Sequence, residues 1–371
     1  MLAMTQAISS IRDSDEKYKN CLRYTLNFLG FFCLLLWICI QVTWLFRGNG
    51  IESRTDIVGF ANEGNVDIVL YGGSDILRFY QPMMGWEEKG ILSYNYGTSS
   101  ARPDLIPYYI QESRLHSNPS LYIIDIRAIT LLMETVDENV VRNWSDSLSP
   151  FSTIRNKGIA SYIYKREHSD VDVLSYYVDI IRYHENFSAL QKPDQWKFMD
   201  RGGIENIDRG FNPYVITTEF SQPDRTSVRV DLTDRRRNVL NDIIDYCKAE
   251  NLNVLFTCIP FIPEEGEFEQ INTCRDIIES NGYPFLDCND YYGEIGIVFS
   301  HDFFDVNHLN YFGSCKFTRW FLDYLDENYD IEDHRGEEEY SQWELDWEEY
   351  EEMMSEWEKE TRDNQIVDDT D

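Results

Sequence analysis

The chain has 371 residues, 43% hydrophobic and 15% aromatic, which suits one large α/β domain with additions rather than a minimal fold. Its formal net charge of -33 at pH 7 repels phosphate backbones and excludes nucleic acid as a natural partner. Close to half of that acidic excess falls after about residue 331, and the remainder is an ordinary acidic surface.

Residues 1–23 form a short polar N-terminal segment. From Tyr24 to Phe46 the chain carries no charge, and at about 1.5 Å per residue such a run spans a hydrocarbon core of roughly 30 Å. A cleaved signal peptide is the competing reading, but its apolar core is shorter, about 7–15 residues, and a small-x-small site follows it. The stretch VTWLFRGNG offers no such site, so an uncleaved membrane anchor is expected. Arg12, Lys17, Lys19 and Arg23 precede the segment, while only Arg47 and Arg54 follow closely. By basic residues alone the N-terminus stays inside, and the chain beyond residue 47 lies outside the cell membrane.

After a polar linker over 47–63, the pattern from 64 to about 330 becomes α/β. NVDIVLYGGS is a continuous apolar run ending in glycines, the mark of a buried parallel strand entering a tight turn. ILSYNYG, SLYIIDIR, LNVLFTCIPF and YPFLDCND supply four more strands. Helical spacing of Val239, Leu240, Ile243, Ile244 and Cys247 predicts a helix over 235–250, and another follows over 268–280 before the stop signal Asn281-Gly282. Alternating strands and helices predict a doubly wound, flavodoxin-like parallel sheet of about five strands. Residues 128–235 break the alternation and read as a mostly helical insertion or lid.

The acidic region 331–371 is not featureless. Trp343, Trp347, Tyr350, Met354 and Trp357 recur at spacings of four and three, a stripe along one face of a helix. Such a helix packs back on its own domain or contacts a partner chain. The last residues, NQIVDDTD, read as disordered. The eight cysteines include no CxxC pair, so neither a metal site nor a disulfide framework is expected, and Cys258 reads as a buried strand thiol.

Two constellations carry chemistry. Gly72-Gly73-Ser74-Asp75 follows the first strand, at the carboxyl end where parallel sheets bind ligands. Ser74 there is either a nucleophile or merely a helix N-cap. The second is HDFFDVNHLN, residues 301–310. A serine needs a base for its proton and an acid to hold that base. Asp305 with His308, three residues apart, can supply both, with His301 and Asp302 as nearby alternates.

The order of GxS, then NYG, then DxxHLNxxG resembles the SGNH/GDSL hydrolase superfamily over about residues 64–328. It is most similar to the membrane-anchored members of the kind that transfers D-alanine to teichoic acids. The resemblance implies Ser74 as nucleophile, Asp305 and His308 as its base pair, and Ser74 and Gly97 as backbone oxyanion donors. It adds Asp75, Asn95 and Arg127 as substrate-binding candidates, no cofactor and no metal. The family's Gly-Asp-Ser is here Gly-Gly-Ser, and its third block, Gly-x-Asn-Asp, is missing. IIDIRAIT stands at that strand end, where Arg127 either donates to the oxyanion, binds an anionic group, or forms a structural ion pair.

The function expected is serine acyl transfer on an acylated cell-envelope glycan or teichoic acid-like polymer. The partners expected are the lipid bilayer and a multispanning acyl-donor protein. A plain carbohydrate or lipid esterase, and a catalytically silent membrane-tethered scaffold, are the competing readings.

Overall fold

Short runs of Ile, Val, Leu and Tyr bounded by turn residues favour strands buried on both faces. In the computed structural model five such runs pair: β1 (Ile68–Gly72), β2 (Ser93–Gly97), β3 (Leu121–Asp125), β4 (Val254–Cys258) and β5 (Phe285–Asp287). The structure describes residues 2–47, 51–100, 102–132, 138–164, 173–178, 180–186 and 206–368. The strands are parallel throughout, in the order β2-β1-β3-β4-β5, with Gly72 opposite Gly97. From β1 the chain moves to β2 on one side and then to β3 on the other, and the reversal opens a crevice at the carboxyl ends of β1 and β3.

Side chains alternate between the two faces. Val69, Tyr71, Tyr96, Ile124 and Phe256 meet helices Ile106–Ser113 and Asp234–Ala249 on one face. Ile68, Leu70, Ile123 and Leu255 meet helix Tyr311–Asn328 on the other. Each apolar residue so buried contributes about 1.5–3 kcal/mol relative to exposure, which makes the sheet the rigid platform for whatever its carboxyl ends carry.

The chain divides into two units. One contains residues 1–48 and 178–200, the other residues 49–177 and 201–371. The first holds helix Leu2–Phe46, within which Lys17–Ile40 is long and apolar enough to cross a membrane. Its polar beginning is helical too, so the expected N-terminal segment is continuous with the apolar stretch. The second unit holds the sheet.

Three expectations need correction. The polar linker contains helix Ile51–Glu63, whose Ile57, Val58 and Phe60 are buried, with Phe60 edge-on to Tyr94 at 5.0 Å. The insertion is helical over Glu138–Ser145, Thr153–Tyr164 and Val173–Tyr177, but Asn206 to Leu232 is irregular chain. That stretch has no helical apolar period and contains Pro213 and Pro223; bonds such as Asn212 N–H to Leu77 O (2.7 Å) hold it in place. Other parts of the insertion, 133–137, 165–172 and 187–205 among them, lie outside the described residues.

The third correction concerns the terminus. Helix Ser341–Asp368 extends through most of the stretch read as disordered, because Asn364 and Gln365 donate to Val215 O (2.9 Å) and Thr217 Oγ1 (3.0 Å). Its aromatic stripe packs inward. Trp343 meets Trp86 at 5.6 Å, Trp357 meets Phe211 at 5.8 Å, and fully buried Tyr350 donates to Gln81 Oε1 at 2.9 Å.

Candidate active site

Gly72 ends β1 where a side chain has no room: a Cβ there would lie 2.3 Å from Ile76 and 3.3 Å from Asp125. The bare backbone lets the chain turn within three residues into the short helix Ile76–Phe79. Asp75, not Ser74, caps that helix, accepting from Ile76 N–H at 3.1 Å. Ser74 is thereby released from capping, and its hydroxyl turns to the other end of the chain.

Ser74 Oγ lies 2.8 Å from His308 Nε2, and His308 Nδ1 lies 2.8 Å from Asp305 Oδ1. The same carboxylate oxygen accepts the backbone N–H groups of Asn307 (2.7 Å) and His308 (2.9 Å). Partial burial pushes the Asp305 carboxyl up. The hydrogen bond and charge of His308 and the two backbone donors outweigh that, and the net shift is below the ordinary carboxylate range. An ionised Asp305 fixes the proton on Nδ1 and leaves Nε2 as an acceptor for the serine proton.

His301 and Asp302 form a second pair that does not reach Ser74. Asp302 is fully buried, taking His301 Nδ1 (2.8 Å) on one oxygen and Val298 N–H and Lys316 Nζ (both 2.7 Å) on the other. It braces the loop that carries Asp305 and His308. Asn310 caps the following helix through Gly313 N–H at 3.1 Å, and a Cβ on Gly313 would meet Asp302 O at 2.3 Å. The Asn310 and Gly313 positions of the motif are therefore structural, while His308 faces the serine and Asp305 holds His308.

Gly97 lies beside the turn that carries Ser74, since a Cβ on it would sit 3.0 Å from Gly73 O and 3.1 Å from Leu77. Asn95 is fully buried in β2, and its amide donates to Tyr80 O (2.8 Å) and Gly210 O (3.4 Å), so it supports the core rather than facing substrate. Asp75 is likewise committed to its cap. Arg127 is buried, with Nη2 donating to Asn307 Oδ1 (2.6 Å) and lying 3.9 Å from Glu267, while the guanidinium stacks 4.0 Å over Phe261. Of the three roles open to it, this is the structural one. Its backbone N–H donates to Asp125, whose other oxygen takes Ile259 N–H (both 2.9 Å). Burial, then the nearby charge of Asp75, pushes the Asp125 carboxyl well up, favouring its neutral form.

Sequence reasoning missed the aromatic wall. Tyr214 stacks on Phe304 at 3.9 Å and presents its edge to His308 at 5.3 Å, with the Arg78 guanidinium 4.3 Å above its ring. Tyr214 lies in the irregular 206–232 stretch, where no periodicity marks it. Asn307, by contrast, stands inside the quoted motif. Among the described residues no group of three or more His, Cys, Asp or Glu could hold a metal ion. Cys258 is a fully buried thiol in β4, pushed well up by burial.

No protein-family model matches this chain, and no curated protein is significantly similar to it.

Proposed function

We propose that the chain is a membrane-anchored serine acyl-transfer enzyme of the SGNH/GDSL kind, on a doubly wound, flavodoxin-like sheet. The observation that carries this reading is the relay itself. Ser74, His308 and Asp305 come from segments 234 residues apart and meet through two 2.8 Å contacts at the sheet's carboxyl edge. A serine that serves only as a cap needs no imidazole, and an imidazole that serves only structure needs no serine.

In the first half-reaction His308 Nε2 takes the Ser74 proton as Oγ bonds to an ester or thioester carbonyl carbon. The carbonyl oxygen takes the electron pair, held by the backbone N–H groups of Ser74 and Gly97. Collapse expels the alkoxide or thiolate, which leaves with the proton from His308. In the second half a hydroxyl gives its proton to His308 and attacks the acyl-serine, and Ser74 is reprotonated as it leaves. With no third-block asparagine, two backbone donors carry the oxyanion, which favours activated acyl donors over plain esters.

The substrate class is an acylated glycan or teichoic acid-like envelope polymer, with a sugar or polyol hydroxyl as acceptor. The anchor holds the enzyme at the bilayer beside a multispanning acyl-donor protein, with the catalytic unit outside the membrane. Supporting that orientation, Arg12, Lys17, Lys19 and Arg23 precede the apolar segment. The aromatic stripe that a scaffold would offer to a partner is spent on internal packing.

Incubating the detergent-solubilised chain with an acyl thioester should leave the acyl group on the Ser74 peptide, seen by mass spectrometry and absent in Ser74→Ala. Faster loss of that adduct with a polyol than in water supports transfer, and equal loss supports an esterase. Absence of both adduct and turnover from the folded chain would sink the enzyme reading and leave the scaffold.

A further inference from the structure

We propose that Arg127 acts through Asn307 to position the acid–base loop, an inference that rests on the acyl-transfer reading of Ser74. Arg127 then occupies the strand end of the missing third block without itself touching substrate.

The connections run in one direction. Arg127 is 2% exposed at the end of β3 and reaches Asn307 twice, Nη2 to Oδ1 at 2.6 Å and Nη1 to the backbone O at 3.5 Å. A guanidinium gripping one residue's amide and its main chain fixes both that rotamer and the path of the loop. Asn307 in turn donates its own N–H to Asp305 Oδ1 at 2.7 Å, the oxygen that holds His308. One residue thus joins the buried cation to the acid of the relay.

The loop's main chain is held by Ile262 N–H to Val306 O (2.8 Å), which leaves the acid's side chain to be fixed. The Asp305 side chain is 40% exposed, and Val306 beside it is 38% exposed, so packing alone does not hold them. Arg127, by contrast, is seated on rigid structure, by the face of Phe261 (4.0 Å), the carboxylate of Glu267 (3.9 Å) and the Asp125 bond to its backbone N–H (2.9 Å). A displacement of about 1 Å in a relay can cost about 10²-fold in rate. A substrate-touching Arg127 would predict something else: a loss independent of Asn307.

The test is the second-order rate of fluorophosphonate labelling of Ser74 in the full-length chain in detergent, from pH 5 to 9, with a melting curve for each variant. The variants are Asn307→Ala, Asn307→Asp, Arg127→Met and the Asn307→Ala/Arg127→Met pair. Asn307→Ala should label about 10²-fold more slowly across the whole range without a matching loss of melting temperature. Asn307→Asp should recover most of the rate, since a carboxylate accepts from the guanidinium as the amide oxygen does. The double variant should be no slower than the slower single one.

Losses that multiply in the double variant would place Arg127 on the substrate and overturn the proposal, as would parental labelling by Asn307→Ala. A folded parent that does not label overturns the acyl-transfer reading as well, so the two failures are distinguishable. Arg127→Met leaves Glu267 buried without its cation and could unfold the chain; the two Asn307 variants then decide, with recovery by Asp supporting the tie and equal rates overturning it.

Discussion

Two His–Asp pairs stand within eight residues of one another, and what separates them is what else each carboxylate touches. Asp302 has both oxygens occupied by Val298, Lys316 and His301, whereas Asp305 holds only its own loop and His308. The two acids should therefore respond oppositely to the same substitution. Asp305→Asn should lower the rate of serine labelling by about 10³–10⁴-fold with little change in melting, because the imidazole loses the partner that sets its tautomer. Asp302→Asn should cost about 2 kcal/mol or more of stability while folded molecules still label, because a buried network loses its charge. Denaturant melts alongside labelling rates check both, and a swap of the two phenotypes would reassign the acid. Spacing alone could not choose between these pairs: each His has an Asp within three residues, and only the fold decides which imidazole meets Ser74. Asn95 shows the same limit, since a polar residue beside the expected oxyanion glycine proves to be a core strut.

At the scale of elements, the sheet is legible because its strands, the tyrosine-rich β2 apart, are short apolar runs with turn signals at their ends. The helices expected over 235–250 and 268–280 appear as Asp234–Ala249 and Glu267–Ser280. The linker helix is not legible, because its buried Ile57, Val58 and Phe60 stand in a stretch that is otherwise mostly polar. The 206–232 stretch is not legible either, because its order comes from long-range bonds that carry no local period.

The terminal region is tied down by a second device. His334 is buried between Asp67 (Nε2, 3.2 Å) and Glu337 (Nδ1, 3.1 Å), with the ring of Tyr340 4.8 Å away. Burial pulls the imidazole down, but the two carboxylates outweigh it and hold its pKa above the ordinary value. Burial also raises Asp67, against the Leu92 N–H and His334. Both imidazole nitrogens face carboxylates within hydrogen-bond reach, so the ion pair sets the sign. A raised histidine stabilises fully below its unfolded pKa of about 6.5, and that contribution is lost as pH rises through the folded value. Melting temperature should therefore fall from pH 6 toward pH 9 more steeply in the parent than in His334→Gln. Parallel curves would show that the latch does not titrate.

At the scale of the whole molecule, one chain carries a long apolar helix in one unit and an α/β sheet in the other. The long apolar helix was legible from its uncharged run, and the sheet from its short apolar runs. The relay was legible as two separate motifs whose meeting only the topology brings about. Labelling of the full-length chain with a fluorophosphonate, beside Ser74→Ala and His308→Ala, decides whether His308 activates Ser74. The parent should label and both variants should not, although all three melt alike. A folded parent that stays unlabelled, or a His308→Ala variant that labels at the parental rate, would contradict it.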